Sequence, residues 1–163
     1  MKTLILGIDP GASGSLCLLH ESTGDYVAHL QMPKVKVGKA NRVNAAAVTD
    51  FIETYINDIK HCYLEKVHAM PGQGVSSMFS FGHSAGIVEG VVVALGIPLT
   101  LVTPQSWKKT AGLIGKDKDA ARSRAIQLYP GIRDLDLKGK GQALADSMLI
   151  ARAQIIKQIG AIK

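Results

Sequence analysis

The sequence predicts an α/β fold in which helices cover both faces of a five-stranded mixed sheet. Three short β-like runs separated by turns open the chain, at residues 3–8, 15–20 and 26–32. Two further β-like runs, 62–67 and 98–102, each follow a segment with apolar residues at helical spacing. Short turns imply antiparallel pairing, whereas a helical crossover implies a parallel pair. The element order βββαβαβ, followed by more helices, therefore predicts both kinds of pairing in one sheet.

The turns between the first three strands are indicated by their composition. Residues 11–14 and 21–25 are rich in Gly, Ser, Thr and Asp, and the segment 26–32 that follows alternates in polarity. The next segment, residues 33–43, is polar and basic around Gly38. Its composition predicts a mobile loop.

Apolar residues at helical spacing predict five helices. They run from an N-cap at Asn44 to about residue 59, from residue 76 or 77 to 95, over a short segment beginning at Pro104, from 118 to 128, and from 142 to 159. Asparagine is a favoured N-cap, and proline is favoured as the first helical residue. Residues 130–141, rich in Gly, Lys and Asp, are predicted to form a loop.

The size and charge of the chain narrow the classes of function. With 163 residues and a hydrophobic fraction of 47%, we expect one domain over residues 1–163 with a real core. The net charge of +6 favours a polyanionic partner, although a basic protein with no nucleic-acid role fits the charge equally well.

The apolar stretches, cysteines and histidines of the sequence argue against a membrane protein and against a zinc protein. The longest apolar stretch, residues 86–101, is interrupted by Glu89, Gly96 and Pro98, so we expect no membrane span. Cys17 and Cys62 lie in apolar runs and are predicted to be buried thiols in a reducing cytoplasm. The five histidines show no HExxH spacing, which argues against a zinc site.

Three acidic residues lie where an α/β fold can bring them together. Asp9 ends the first apolar run, Glu65 ends the fourth β-like run, and Asp146 interrupts the apolar side of the last helix. Carboxylates at the ends of neighbouring strands, facing a helix, are the ligands that Mg²⁺ prefers. Two such ions can clamp a phosphodiester during hydrolysis. The pattern predicts a metal-dependent nuclease.

Each acid also has an ordinary explanation. Asp9 precedes Pro10-Gly11 and can open a turn by bonding to the backbone. Glu65 can be the solvent-facing residue of an alternating strand. Asp146 can be a boundary residue paired with a Lys or Arg.

Basic and aromatic residues give candidates for nucleic-acid contact. The basic residues concentrate in residues 34–42, 108–124 and 138–140, and loop lysines near a phosphate site supply affinity without reading sequence. Base stacking can use Phe79, Phe81 or Trp107, although Phe79 and Phe81 can equally be core residues.

The motifs resemble the phage-type RuvC-like Holliday junction resolvases over nearly the whole chain. The matching segments, in order, are GIDPG at 7–11, EKVHAMPGQGVSSMFSFG at 65–82, VTPQSWKK at 102–109, the helix start at 116–117, and ADSMLIA at 145–151. The segment containing Met-Pro-Gly-Gln-Gly is the most specific, and Gly-Ile-Asp-Pro-Gly is the least.

This resemblance implies an RNase H-like fold, a two-fold dimer, and Mg²⁺- or Mn²⁺-dependent nicking of two strands of a four-way DNA junction. Asp9, Glu65 and Asp146 then correspond to the metal ligands. The family usually has a further acid or His one turn before the helix Asp, where this chain has Gln142 and Ala143. The amide oxygen of Gln142 remains a candidate ligand, but it brings no charge.

Residues outside the three acids are also given expected roles. Lys116 or Lys118 is expected to stabilise charge in the transition state. The expected DNA contacts are Lys34, Lys36, Lys39, Arg42, Gln73, Ser76, Ser77, Phe81, Lys108, Lys109, Lys138 and Lys140. The helix at 76–95 is the expected dimer contact, because it has no evident polar face. A phage-encoded protein of this kind would act in the cytoplasm of its bacterial host.

Three other functions stay open from the sequence. The chain can be a module that binds branched DNA and cuts it weakly or not at all, since Gln142 leaves the site short of charge. It can be an RNase H-like nuclease that processes RNA. A fragment of an actin- or sugar-kinase-like ATPase begins with a similar strand, but those proteins need two domains around the nucleotide.

Overall fold

The computed structural model describes residues 1–161 and contains a five-stranded sheet with a separate two-stranded hairpin. The strands are β1 Leu4–Asp9, β2 Ser15–His20, β3 Tyr26–Gln31, β4 Lys34–Val37, β5 Ala40–Val43, β6 Ile59–Glu65 and β7 Leu99–Val102. The main sheet has the order β3-β2-β1-β6-β7, and β4 pairs with β5. The predicted α/β class is confirmed.

Within residues 1–161, five α-helices and one short 3₁₀ segment complete the fold. The helices are α1 Ala45–Thr54, α2 Val75–Ala94, α3 Pro104–Ala111, α4 Ala120–Leu128 and α5 Lys138–Ala161, with the 3₁₀ turn at Arg133–Asp136. Asn44 accepts a hydrogen bond from the Ala47 backbone N–H, as its place before α1 predicts.

Strand β1 lies at the centre of the sheet and joins its antiparallel and parallel halves. It pairs antiparallel with β2, which pairs antiparallel with β3. On its other side β1 pairs parallel with β6, and β6 pairs parallel with β7. The carboxyl ends of β1 and β6 therefore meet at one edge of the sheet.

Alternating side chains of the central strands divide the core into two layers. Ile5 faces the layer that contains α5, including Met148 and Leu149. Leu6 and Ile8 face the opposite layer, which α1 and α2 cover. A strand with helices on both sides must be apolar on both faces, which explains the uninterrupted apolar run before Asp9.

Gly7 permits a close approach between β1 and α5. A β-carbon at Gly7 would collide with the backbone oxygen of Ser147, and it would lie 2.8 Å from the Ala151 backbone nitrogen. Only a residue without a side chain fits this contact. The contact fixes α5 against the end of β1 that carries Asp9.

Three predictions about secondary structure were wrong. Residues 33–43 form the hairpin β4–β5 instead of a mobile loop, because Val35 and Val37 alternate with lysines and Gly38, with φ of 62°, supplies the turn. Helix α1 ends at Thr54, since Ile59 already belongs to β6. The expected loop at 130–141 contains the 3₁₀ turn and the start of α5.

Among the described residues, one helix is long and apolar enough to cross a membrane by length and composition alone. This helix is α2, and 22% of its apolar window is buried inside the protein. Its buried side chains, Ser84, Ala85, Val88 and Val92, lie against the rest of the fold. The opposite face is open. The expectation that no segment enters a membrane therefore stays a prediction.

The Gly7 contact generates the first testable prediction. Gly7→Ala should lower the free energy of unfolding by about 2 kcal/mol or more, because the new methyl group meets α5 backbone that cannot move aside. Gly139→Ala is the matched control, since nothing lies within 4 Å of its β-carbon position. Urea denaturation measures both variants. Equal stabilities would show that α5 does not rest on Gly7.

Candidate metal and nucleic-acid site

Three secondary-structure elements bring the three predicted acids to one side of the sheet. Asp9 is the last residue of β1, and it lies on the same strand face as Gly7, which touches α5. Glu65 is the last residue of β6 and shares a face with Tyr63, which belongs to the α5 layer of the core. Asp146 lies on α5 itself. Asp9, Glu65 and Asp146 are called the acid cluster below.

The carboxyl groups of the acid cluster destabilise one another's charge. Burial, followed by the charges of Asp146 and Glu65, raises the pKa of Asp9 well above its usual value. Burial also raises the pKa of Glu65. Burial and then the Glu65 charge raise the pKa of Asp146 to about 7. The three groups are thus electrostatic neighbours, and a bound cation would relieve their repulsion.

Two neutral side chains hold members of the acid cluster in place. The indole Nε1–H of Trp107 donates to Glu65 Oε2 at 2.6 Å. The amide Nε2 of Gln142 donates to Asp146 Oδ1 at 3.1 Å, which leaves its oxygen free. Gln142 Oε1 is buried and has no hydrogen-bond partner. A buried acceptor without a partner is costly, and a cation or water beside it would satisfy it.

The charge of Lys108 acts on all three members of the acid cluster, a position that the sequence does not indicate. Its charge lowers the pKa of Asp9, Glu65 and Asp146. Its Nζ lies 5.4 Å from the centroid of the Trp107 ring. The sequence predicts only a DNA contact for Lys108. Its position beside the acids depends on the packing of α3 against α5, which no spacing in the sequence encodes.

Asp9 and Asp146 open onto two different clefts. The first, called the serine cleft, has a volume of about 550 Å³ and lies between the 10–14 turn and the start of α2. Its polar lining consists of Asp9, Ser13, Ser76, Ser77, Ser80 and Ser84. The second, called the lysine cleft, has a volume of about 350 Å³ and is lined by Asp146, Gln142, Lys108, Lys116 and Lys118. The acid cluster lies between a hydroxyl-lined and a cationic surface.

The other predicted DNA contacts fall into groups around these clefts. Lys34, Lys36 and Lys39 are exposed on the β4–β5 hairpin, and the Lys34 Nζ donates to Ser13 Oγ at 3.4 Å, which joins the hairpin to the serine cleft. Arg42 lines a third cleft of about 380 Å³ together with Phe79.

Four predicted contacts line neither the serine cleft nor the lysine cleft. Gln73 lines a hollow of about 240 Å³ beside Phe81. Lys109 is exposed on α3, and Lys138 and Lys140 are exposed in the first turns of α5. The structure thus gathers Lys108, Lys116, Lys118, Ser76, Ser77 and Phe81 at the clefts beside the acids, and leaves these four residues outside them.

The aromatic candidates are redistributed by the tertiary structure. Trp107 is fully buried, so it cannot stack on a base. Phe79 is 70% exposed, which excludes the core position that the sequence left open for it and leaves the stacking role a prediction. Phe81 is partly buried and lies close to the backbone of Gly11 in the wall of the serine cleft. Cys17 and Cys62 are free, buried thiols, as expected.

The donor set suits a hard divalent cation, although the side chains do not form a closed cage. Within residues 1–161, no group of three or more His, Cys, Asp or Glu side chains could hold a metal ion as arranged. The available donors are three carboxylates and the unpartnered amide oxygen of Gln142. All are oxygen ligands, which Mg²⁺ and Mn²⁺ prefer, and Mg²⁺ keeps several waters in such sites. The residues therefore fit the cation in chemistry, and the metal site stays a prediction.

No family model and no curated protein matches the sequence. Solved structures do match its fold. Thermus thermophilus RuvC in complex with a Holliday junction substrate is similar at a TM-score of 0.68 and 15% identity, over 97% of this chain and 96% of that chain. A second structure of T. thermophilus RuvC is similar at a TM-score of 0.56 and 16% identity, over 96% of both chains.

The similarity extends across nearly the whole of each chain, although few residues are identical. Likeness at this identity establishes architecture and leaves chemistry to the residues of this chain. The five-stranded mixed sheet, its strand order and the flanking helices agree with the RNase H-like layout predicted from the sequence. The chain has a RuvC-like fold.

Proposed function

We propose that this protein is a nuclease that resolves four-way DNA junctions by metal-dependent hydrolysis of phosphodiester bonds. The observation that carries the proposal is the acid cluster, in which three partly buried carboxyl groups repel one another between a hydroxyl-lined and a cationic cleft. Such a cluster is costly to maintain unless it serves a cation. The RuvC-like fold supports a nuclease, and the solved relative bound to a Holliday junction supports branched DNA as the substrate.

Asp9, Glu65 and Asp146, with the Gln142 oxygen, would hold Mg²⁺ or Mn²⁺. The bound cation would supply Lewis-acid stabilisation of the scissile phosphate and activation of water. Lys116 and Lys118 line the lysine cleft, where they would offset the negative charge that develops on the phosphate. Lys108 supplies a further positive charge next to the same carboxylates.

The serine cleft and the hairpin would hold the DNA backbone. Ser76 and Ser77 lie in the first turn of α2, where backbone N–H groups and hydroxyls favour a phosphate. Lys34, Lys36 and Lys39 extend a basic surface from that cleft along the β4–β5 hairpin. These contacts would hold a DNA strand in position through its backbone, without recognising its base sequence. The products, a 5′-phosphate and a 3′-hydroxyl, follow from the proposed family chemistry.

A second candidate function is the binding of branched DNA without efficient cleavage. The observation in its favour is the neutral Gln142, which hydrogen-bonds Asp146 and adds no charge to the site. Together with the open arrangement of the acids, this favours weak cation binding. Cleavage of RNA remains a further alternative, because the basic surface does not distinguish between nucleic acids.

We further propose that two copies associate through the open face of α2. Gly82, Gly86 and Gly90 recur every four residues with nothing within 4 Å of their β-carbon positions, and Val75 and Phe79 are 80% and 70% exposed beside them. Glycines at this spacing let two helix backbones approach closely. Glu89 is the only charged residue of the helix. Few charges therefore oppose the burial of this face against another surface.

Cleavage of a synthetic four-way junction tests the proposed reaction. The wild-type protein with Mg²⁺ or Mn²⁺ should nick two strands, and Asp9→Asn should bind the junction but cut it at least about 100-fold more slowly, because a ligand matters at least as much as its supporting contacts. Gel electrophoresis of end-labelled strands measures both. Linear duplex DNA and duplex RNA of the same sequence are the controls.

The outcomes of this assay separate the candidates. Equal cutting by the two proteins would remove Asp9 from the mechanism. Junction binding without nicking in either metal would favour the binding module. Preferential cutting of the RNA would indicate the RNA-processing alternative.

The raised pKa of Asp146 predicts a pH-dependent stability when divalent cations are absent. The unfolded chain releases this proton near the ordinary value of 3.8, whereas the folded chain retains it to about 7. Stability should therefore fall as pH rises between these values and stay low above them. The drop for this group is at most about 4 kcal/mol, since one pKa unit corresponds to 1.4 kcal/mol.

Thermal unfolding in EDTA at pH 5.5 and pH 8 measures this effect. Asp146→Asn should unfold at a higher temperature than wild type at pH 8 and should lose part of the pH dependence. Mg²⁺ should raise the unfolding temperature of the wild type at pH 8 far more than that of the variant. Identical pH profiles for wild type and Asp146→Asn would show that ionisation of Asp146 does not lower the stability.

Sedimentation analysis tests the proposed dimer. Gly86→Arg should convert a dimer to a monomer, because a long charged side chain cannot fit between close helices, whereas Gly139→Arg on α5 should leave the dimer intact. A wild-type protein that stays monomeric at micromolar concentration would contradict the proposal. Flotation of that monomer with liposomes would show that a bilayer covers the face instead.

A further inference from the structure

Trp107 is a fully buried residue that contacts both signs of charge in the acid cluster. Its indole N–H donates to Glu65 Oε2 at 2.6 Å, and its ring lies beneath Lys108, with the Nζ 5.4 Å from the ring centroid. Its relative exposure is 0%. A buried tryptophan usually satisfies its N–H, and the partner here is a member of the acid cluster.

The elements that carry Trp107 are anchored next to Glu65. The Glu65 backbone pairs with Val102 at the end of β7, and α3 begins two residues later at Pro104. Thr103 caps α3 by accepting from the Ser106 N–H at 3.2 Å, and Gly112, with φ of 72°, ends the helix. A short helix fixed at both ends holds the indole in one orientation relative to Glu65.

The hydrogen bond restricts how Glu65 can turn. With Oε2 engaged by the indole, the carboxylate loses rotational freedom, and Oε1 together with the remaining lone pair of Oε2 is left for another ligand. The donor is neutral, so it supports the charged carboxylate without competing as a counter-ion. The ring face at the same time keeps Lys108 beside the carboxylates that its charge influences.

We propose that Trp107 is the positioning residue of the acid cluster, and that divalent-cation binding there depends on its indole N–H. The proposal rests on the proposed function, since it assumes that the acid cluster binds a cation. Partners that orient a metal ligand commonly change metal affinity by about 10- to 100-fold. Trp107 acts through Glu65 and Lys108 and does not touch DNA.

Two substitutions separate the contributions of Trp107. Trp107→Phe keeps a buried aromatic ring beneath Lys108 but removes the N–H, and it should weaken Mn²⁺ binding about 10- to 100-fold. Trp107→Leu removes both contacts and should weaken binding at least as much. Tyr129→Phe is the matched control, because it removes one hydrogen bond, from the Tyr129 hydroxyl to the Gly24 carbonyl oxygen at 2.9 Å, in the same core layer and away from the acids. It should bind Mn²⁺ like wild type.

Isothermal titration calorimetry with Mn²⁺ alone measures these affinities without any cleavage assay. Unchanged affinity in a folded Trp107→Phe protein would overturn the inference. Equal weakening in Tyr129→Phe would also overturn it, because the effect would then come from general loss of core packing.

A spectroscopic measurement on the wild type needs no substitution at Trp107. Trp107 is the only tryptophan of the chain, so all indole fluorescence reports its surroundings. Mg²⁺ should change this emission over the same concentration range as the calorimetric binding, and Asp146→Asn should abolish the response. Cation binding with no change in emission would overturn the inference.

The two proposals can fail separately. Cation binding that depends on Trp107, in a protein that cuts no junction, would reject the nuclease function and uphold the inference. Junction cutting by the wild type, with unaltered cation binding in Trp107→Phe, would support the nuclease function and reject the role of Trp107. Failure of the wild type to bind Mn²⁺ at all would overturn both the metal site and the role of Trp107.

Discussion

The parallel pairing of β1 with β6 under helix α5 is the constraint on which the rest of this structure depends. It brings the carboxyl ends of two strands that are 50 residues apart in the chain to the same edge of the sheet. Gly7 then allows α5 to lie directly on β1, so that Asp146 reaches the same edge. Without that backbone contact, the helix would stand further from the sheet and the acid cluster would open.

The burial and mutual repulsion of the three acids create an electrostatic cost that the surrounding residues only partly offset. Lys108 provides positive charge, and Trp107 and Gln142 each donate a hydrogen bond to one carboxylate. The pKa values nevertheless remain raised, because burial outweighs these contacts. A site with this unresolved repulsion is stabilised when a cation enters, which links the strain in the fold to the proposed chemistry.

The surface around the acids is divided between two kinds of contact. Hydroxyl groups and the first turn of α2 line the serine cleft, while lysines line the opposite one. The β4–β5 hairpin extends the basic surface beyond the serine cleft. A strand of nucleic acid that crosses the acid cluster would meet neutral donors on one side and charge on the other. On the open face of α2, exposed apolar side chains and glycines form a separate surface.

The sequence by itself determined the α/β class, the antiparallel pairing of the first three strands and the parallel crossover to the fourth β-like run, because strand periodicity, turn residues and helix spacing are local signals. It also singled out the three acids by their positions at strand ends and on a helix. It also indicated the RuvC-like fold through short ordered motifs. It misjudged residues 33–43, since the weak alternation in a basic segment does not reveal a hairpin. It could not predict that Trp107 and Lys108 lie beside Glu65, or that the Phe79 side chain is exposed. Those positions depend on how α3 and α2 pack against distant parts of the chain, and such long-range contacts have no local signature.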